Sequence, residues 1–162
     1  MSKEYKNYSV NDFDKFDCLK ISIRVYLVLI YILRGYVVWV MSVTNMRDRV
    51  GIIQWLYPEQ SLFFLSLLSG LMGLFVVLIL SLRRPNAPQW VISIWPYSRV
   101  ILIIALLFDY LINLLGYFQW QLFSPLWLAI QGGVVIFLII LCYSSDRINI
   151  NLREFPETLP EK

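Results

Sequence analysis

Arg34 and Asp109 stand deep inside stretches that are otherwise apolar, and these two opposite charges define the chemistry open to the chain. A charge placed in hydrocarbon is costly and is kept for a partner or a purpose. At 1.5 Å of rise per helical residue, Arg34 lies about 15–20 Å from the membrane edge nearer the N-terminus and Asp109 about 14 Å, a difference an arginine side chain spans. Gln131, on a segment entering from the opposite side, reaches a comparable level, roughly 16 Å from that edge of a 30 Å core. Asn113 stands one helical turn beyond Asp109 on the same face. Arg34, Asp109, Asn113 and Gln131 thus form one candidate intramembrane polar cluster. Its chemistry is either an ion site, substrate site or proton-linked switch, or an internal salt bridge that fixes the first helix against the third. Pairing removes much of the functional signal that a lone intramembrane charge carries.

What is missing narrows the chemistry. The 162 residues contain no histidine, which excludes bis-histidine haem, zinc-protease motifs, Ser-His-Asp triads and histidine proton relays. The only cysteines, Cys18 and Cys142, are far apart and both fall on the side assigned below to the cytoplasm, where a structural disulfide is disfavoured. A four-helix thiol oxidoreductase of this length would need paired cysteines on the outer side, and the outer loops have none. No Walker loop, dinucleotide fingerprint or nucleophile elbow is present. No catalytic residue, cofactor or metal site is therefore expected, and no basic stretch interleaved with aromatics marks a nucleic-acid partner.

The elements that must position the cluster follow from composition. Hydrophobic residues make up 59% of the chain and charged residues 15%, against roughly 45–50% and about 25% in soluble domains. Four apolar runs, about 21–43, 62–82, 100–118 and 122–143, are long enough to cross a bilayer as helices. They lack the alternation of barrel strands, and an open sheet leaves its backbone unsatisfied in lipid. The expected fold is all-α: four transmembrane helices in an antiparallel bundle, with short interfacial helices in the first and second connections. The first run is preceded by a polar arm and followed by no small-residue cleavage site, so it should stay as a signal anchor.

Loop charges orient this bundle. With four crossings the N-terminal arm, the 83–99 loop and the C-terminal tail share one side and hold eleven basic residues, against Arg47 and Arg49 on the other. The positive-inside rule places both termini in the cytoplasm. Trp39, Trp55, Tyr57 and Trp120 fall at the outer ends and Trp90, Trp95, Tyr97 and Tyr143 at the inner ends, where amphipathic rings anchor in the headgroup zone. The stretches 46–57 and 89–95 read as interfacial segments. Pro58-Glu59 and Pro96 suit first helical turns. Gln119, Trp120 and Gln121 are all that separate the last two runs, which must form a hairpin.

Small residues indicate how the helices meet. Ser66 and Gly70, Ser69 and Gly73, and Ala129 and Gly133 stand four apart, a spacing that permits close helix approach or, alternatively, small cavity walls. Three regions result: a cytoplasmic arm (1–20), the transmembrane domain (21–143) and a polar, mobile cytoplasmic tail (144–162) in which Ile148, Ile150 and Leu152 could touch the surface. No internal repeat is visible, which weighs against an inverted-repeat transporter.

Asp17-Cys18-Leu19-Lys20 before the first run, Arg34-Gly35 within it and Leu56-Tyr57-Pro58 before the second resemble the bacterial YfeZ-like inner-membrane proteins, a family of unknown function. The similarity extends from about Tyr8 through the fourth run and draws attention to Tyr8, Asp12 and Asp17. It implies a bacterial inner-membrane location and supplies no activity. Two classes of function stand: a non-enzymatic accessory or scaffold protein that packs against itself or a membrane partner in the lipid bilayer, and a small oligomeric transporter or channel using the level of Arg34, Asp109, Asn113 and Gln131.

Overall fold

The computed structural model describes residues 5, 8–16, 18–45, 51–57, 59–120 and 124–156. Asp17, Arg47, Arg49, Pro58, Gln121 and the Trp120 side chain lie outside that description. The described residues are all-α, with no strand among them and a single isolated bridge, Phe13 to Leu19. Eight α-helices follow in order: α1 (Ile23–Ile32), α2 (Arg34–Thr44), α3 (Gly51–Leu56), α4 (Gln60–Leu82), α5 (Gln89–Ile94), α6 (Ser98–Trp120), α7 (Pro125–Tyr143) and α8 (Asp146–Arg153). A 3-10 turn at Trp95–Tyr97 joins α5 to α6. Among the described residues, three helical stretches are long and apolar enough to cross a membrane, and a bent pair makes a fourth if it counts as one span.

That bent pair corrects the expectation of one continuous first helix. α1 and α2 meet at Leu33 with a bend of 62°. Kinks of this size arise where a side chain enters the backbone ladder or a small residue relaxes it, and both are present. The Arg34 guanidinium takes up the Tyr31 carbonyl (Nη1 to O, 3.1 Å), and Gly35 follows directly. The elbow seats on α4: a Cβ at Gly70 would lie 2.7 Å from the Tyr36 ring, and one at Gly73 would lie 2.9 Å from Ile32 Cγ2 and 3.3 Å from Leu33 Cδ2.

α4 is the central helix. It buries Phe63, Ser66, Gly70, Gly73, Val76 and Ile79 at helical spacing and packs on α6, α2 and α1. Over its most apolar part α4 is 44% buried and the Gln89–Gln119 stretch 39%, whereas α7 is only 17% buried, so α7 is peripheral. Val28, Leu29, Ile32, Val76, Leu106 and Leu138 come from four of these helices to make one core. At about 1.5–3 kcal/mol per fully buried side chain on transfer from water, such clusters dominate packing in an aqueous reference. Within lipid the same contacts act through dispersion and close fit.

The described parts of the N-terminal arm and of the C-terminal tail fold together. Ser145 caps α8 by accepting from Ile148 N, while Asp146 in the first turn and Arg153 in the last suit the helix dipole. The Asn151 carbonyl accepts from Trp95 Nε1 at 2.8 Å, and the Asn151 amide donates to the Lys20 carbonyl. Arg147 pairs with Asp12 at 3.2 Å. Glu154 accepts from Leu19 N at 2.9 Å and from the Tyr5 hydroxyl, and its carbonyl accepts from Arg83. Burial lowers the Arg83 guanidinium from its ordinary pKa, partly offset by Cys18 and Glu154. The tail expected to be mobile is thus helical over 146–153. Ile148 and Asn151 are buried beneath it because the 3-residue spacing places both on one face.

Trp95 departs from the expected aromatic belt. It is 4% exposed, packs with Ile79 and Val91, and lies against Arg83 and Phe155. Its neighbours at the same end, Trp90, Tyr97 and Tyr143, are exposed.

Candidate functional site

Arg34 opens α2 immediately after the elbow, which aims its side chain at α6 rather than along the axis of α1. There Nη2 meets Asp109 Oδ2 at 2.8 Å. The Asp109 side chain is 1% exposed and that of Arg34 24%. The second carboxylate oxygen accepts from Ser69 Oγ at 3.3 Å, a hydroxyl also within 2.9 Å of the Ser66 carbonyl on the preceding turn of α4. The Arg34 guanidinium carbon sits 4.5 Å from the centroid of the Tyr31 ring, within range of a cation–π contact. Three elements, α2, α4 and α6, therefore converge on one carboxylate.

Around this pair the other expected residues separate. Asn113 bonds one turn back along its own helix, Nδ2 to the Asp109 carbonyl at 2.8 Å, rather than to the Arg34 guanidinium. Gln131 comes to the same region from α7 yet does not join the pair. Its Oε1 is buried with no hydrogen-bond partner among the described residues, and so is the Tyr31 hydroxyl. Arg34, Asn113, Gln131 and Tyr31 all line one cavity of about 720 Å³, whose remaining wall includes Trp55, Leu56, Trp127, Ile130 and Val134. The single proposed cluster is in fact two things: a closed ion pair and a polar patch on a cavity beside it.

The small residues divide similarly. Ser66, Ser69, Gly70 and Gly73 are all buried on α4. Ser66 meets Gly35, whose added Cβ would fall 2.8 Å from Ser66 Oγ, and shares a 2.9 Å hydrogen bond with Tyr57. Ala129 and Gly133 are exposed, and a Cβ at Gly133 would meet nothing within 4 Å. The close contact of α7 with α6 is made by Gly132, whose Cβ would lie 3.2 Å from the Tyr110 hydroxyl. One residue of offset turns a helical position by about 100°, so the expected Ala129/Gly133 face points away from the bundle. Tyr31, Gly35, Tyr57 and Tyr110 were not among the expected site residues. Tyr31 alone carried a signal, its i−3 relation to Arg34 on a helical face.

No three His, Cys, Asp or Glu side chains converge among the described residues. The pair can neutralise and orient, with Arg34 on one carboxylate oxygen and the Ser69 hydroxyl near the other. The comparisons with curated proteins and with solved structures gave no match. A family model described as "Protein of unknown function (DUF2919)" matches residues 8–154, from the arm to the end of the α8 cap, and the chain belongs to that family.

Proposed function

We propose that this chain is a multi-pass protein of the bacterial inner membrane, of the YfeZ-like kind. It crosses four times, with α1 and α2 together as the first crossing, keeps both termini in the cytoplasm, and serves as a non-enzymatic accessory or scaffold for a membrane partner. The even number of crossings is supported by the contact of the N-terminal arm with α8, since both must lie at one face. The cytoplasmic assignment rests on the basic residues gathered at that end. The observation that carries the scaffold reading is the use of Asp109: its carboxylate is taken by Arg34 and Ser69, so the most chemically capable group ties three elements together. The sparse burial of α7 leaves a long apolar face for a partner.

Crosslinking followed by affinity purification from native membranes tests this. A stoichiometric partner lost on substitution along exposed α7 positions such as Ile136 and Phe137 is the expected result. A clean homo-oligomer with no second component counts against the accessory role. A second reading, a small transporter, draws on the cavity beside Arg34; liposome flux abolished by Asp109→Asn would favour it.

A further inference from the structure

The cavity between α7 and the elbow has a composition that neither scaffolding nor the ion pair explains. Its volume, about 720 Å³, falls within the range of about 300–1,000 Å³ typical of small-molecule sites. Most of its wall is aromatic or aliphatic, yet polar atoms gather at one patch. There the Tyr31 hydroxyl and Gln131 Oε1 are buried without partners among the described residues, and in hydrocarbon each such atom costs several kcal/mol or draws in a partner.

The charge at this patch has a sign. The Arg34 side chain is 24% exposed and lines the cavity, whereas Asp109 is 1% exposed and stands behind it. A molecule in the cavity therefore meets the cation and not the carboxylate that neutralises it. The guanidinium bonds to Asp109 and to the Tyr31 carbonyl through one N–H each, and its planar fork has further donors. Tyr31 can donate through its hydroxyl, and the Gln131 amide can turn to present its NH₂ group, since its two ends are interchangeable in shape. Arg34, Tyr31 and Gln131 thus bring donor groups to one cavity whose other described lining residues are mostly apolar.

We propose that this cavity binds a single-chain amphiphile with a carboxylate head, of the long-chain fatty acid class. The head is held by Arg34, Tyr31 and Gln131, and the chain lies along Trp127, Ile130 and Val134. An anionic head can add charge-assisted bonds to the remaining Arg34 N–H groups, which a cationic or uncharged head forgoes. The site does not depend on the accessory role: a chain that fails to yield a partner still presents the cavity.

Trp55 and Trp127 on the wall make the test optical. The purified full chain in nanodiscs is titrated with dodecanoate brominated at its far end, and tryptophan quenching is followed. Saturable quenching is expected, displaced by plain dodecanoate and not by dodecyltrimethylammonium. Gln131→Leu should weaken binding about tenfold, and Val134→Phe, which narrows the cavity where the chain lies, should weaken it as well. Gly133→Ala, which points into open space, should leave it unchanged. All three variants keep the Arg34–Asp109 pair. Trp55→Phe with Trp127→Phe should abolish most of the saturable signal. The proposal is overturned if wild-type quenching rises without saturation as simple partitioning does, or if the cationic and anionic probes compete equally. Binding indifferent to both Gln131→Leu and Val134→Phe would also overturn it, as would disulfide crosslinks between chains carrying Trp127→Cys that put a second copy in the cavity.

Discussion

At the residue scale, Asp109 behaves as one half of a closed circuit. Removing a single member of a buried pair strands the other, at a cost of about 3–5 kcal/mol, while replacing both by apolar residues of similar volume is often neutral or stabilising. Asp109→Ala should thus lower unfolding stability by that amount in mild detergent. Arg34→Met with Asp109→Leu should recover most of it, and a double variant as damaged as the single would mean that the pair does more than join helices. Exchanging the charges, Arg34→Asp with Asp109→Arg, should restore part of the folded yield lost in each single variant. Ser69→Ala removes one bond to the carboxylate and should cost about 0.6 kcal/mol, the average for polar contacts between membrane helices. The pair itself was legible in the sequence because charges are rare in apolar runs and depth can be counted. Tyr31 and Tyr57 were not, because aromatic residues in such runs ordinarily mark headgroup anchoring, and nothing local distinguishes a tyrosine that bonds to a serine nine residues away.

At the element scale, the bend at Leu33 and the small-residue face of α4 form one device. The elbow pushes Ile32, Leu33 and Tyr36 into the surface of α4, and only residues without side-chain bulk at 70 and 73 admit them. Gly70→Ala should cost about 1–3 kcal/mol by overpacking against the Tyr36 ring, read as a lowered unfolding midpoint. Gly133→Ala should stay within about 0.5 kcal/mol of the parent, as expected of an exposed position. The extents of α4, α6 and α7 follow the apolar runs to within about three residues, and the Ser66/Gly70 and Ser69/Gly73 spacing lies on the face of α4 that is buried. The bend was not legible, because no proline stands near Leu33 and the Arg34 contact with the Tyr31 carbonyl that accompanies it has no local sequence signature. Ala129 and Gly133 lie on the exposed face and Gly132 on the one toward α6; on a helix with small residues at 129, 132 and 133, spacing alone does not say which face turns inward.

At the scale of the whole molecule, the two chain ends form a cap over one end of the helices, with Glu154 gripping the arm through Leu19 and Tyr5. Glu154→Ala should free the arm locally while leaving the helical core intact. Trypsin cleavage at Lys15 and Lys20 should accelerate about tenfold, the effect of losing roughly one net hydrogen bond to a charged group. Unchanged cleavage would assign the hold to Arg147 and Asp12 instead. The cap was hidden in the sequence because α8 is only eight residues long, too short for its periodicity to stand out from a polar tail. The ion pair, finally, sets an order of events in time. Arg34 and Asp109 are 75 residues apart in the chain, so at synthesis rates of about 5–20 residues per second the arginine emerges about 4–15 s before its carboxylate exists. On the membrane reading, the first crossing must spend that interval with an unpaired cation, held toward the headgroups by its long side chain. It can settle at its final depth only once α6 has been made, so the bundle closes from the later helices back onto the first.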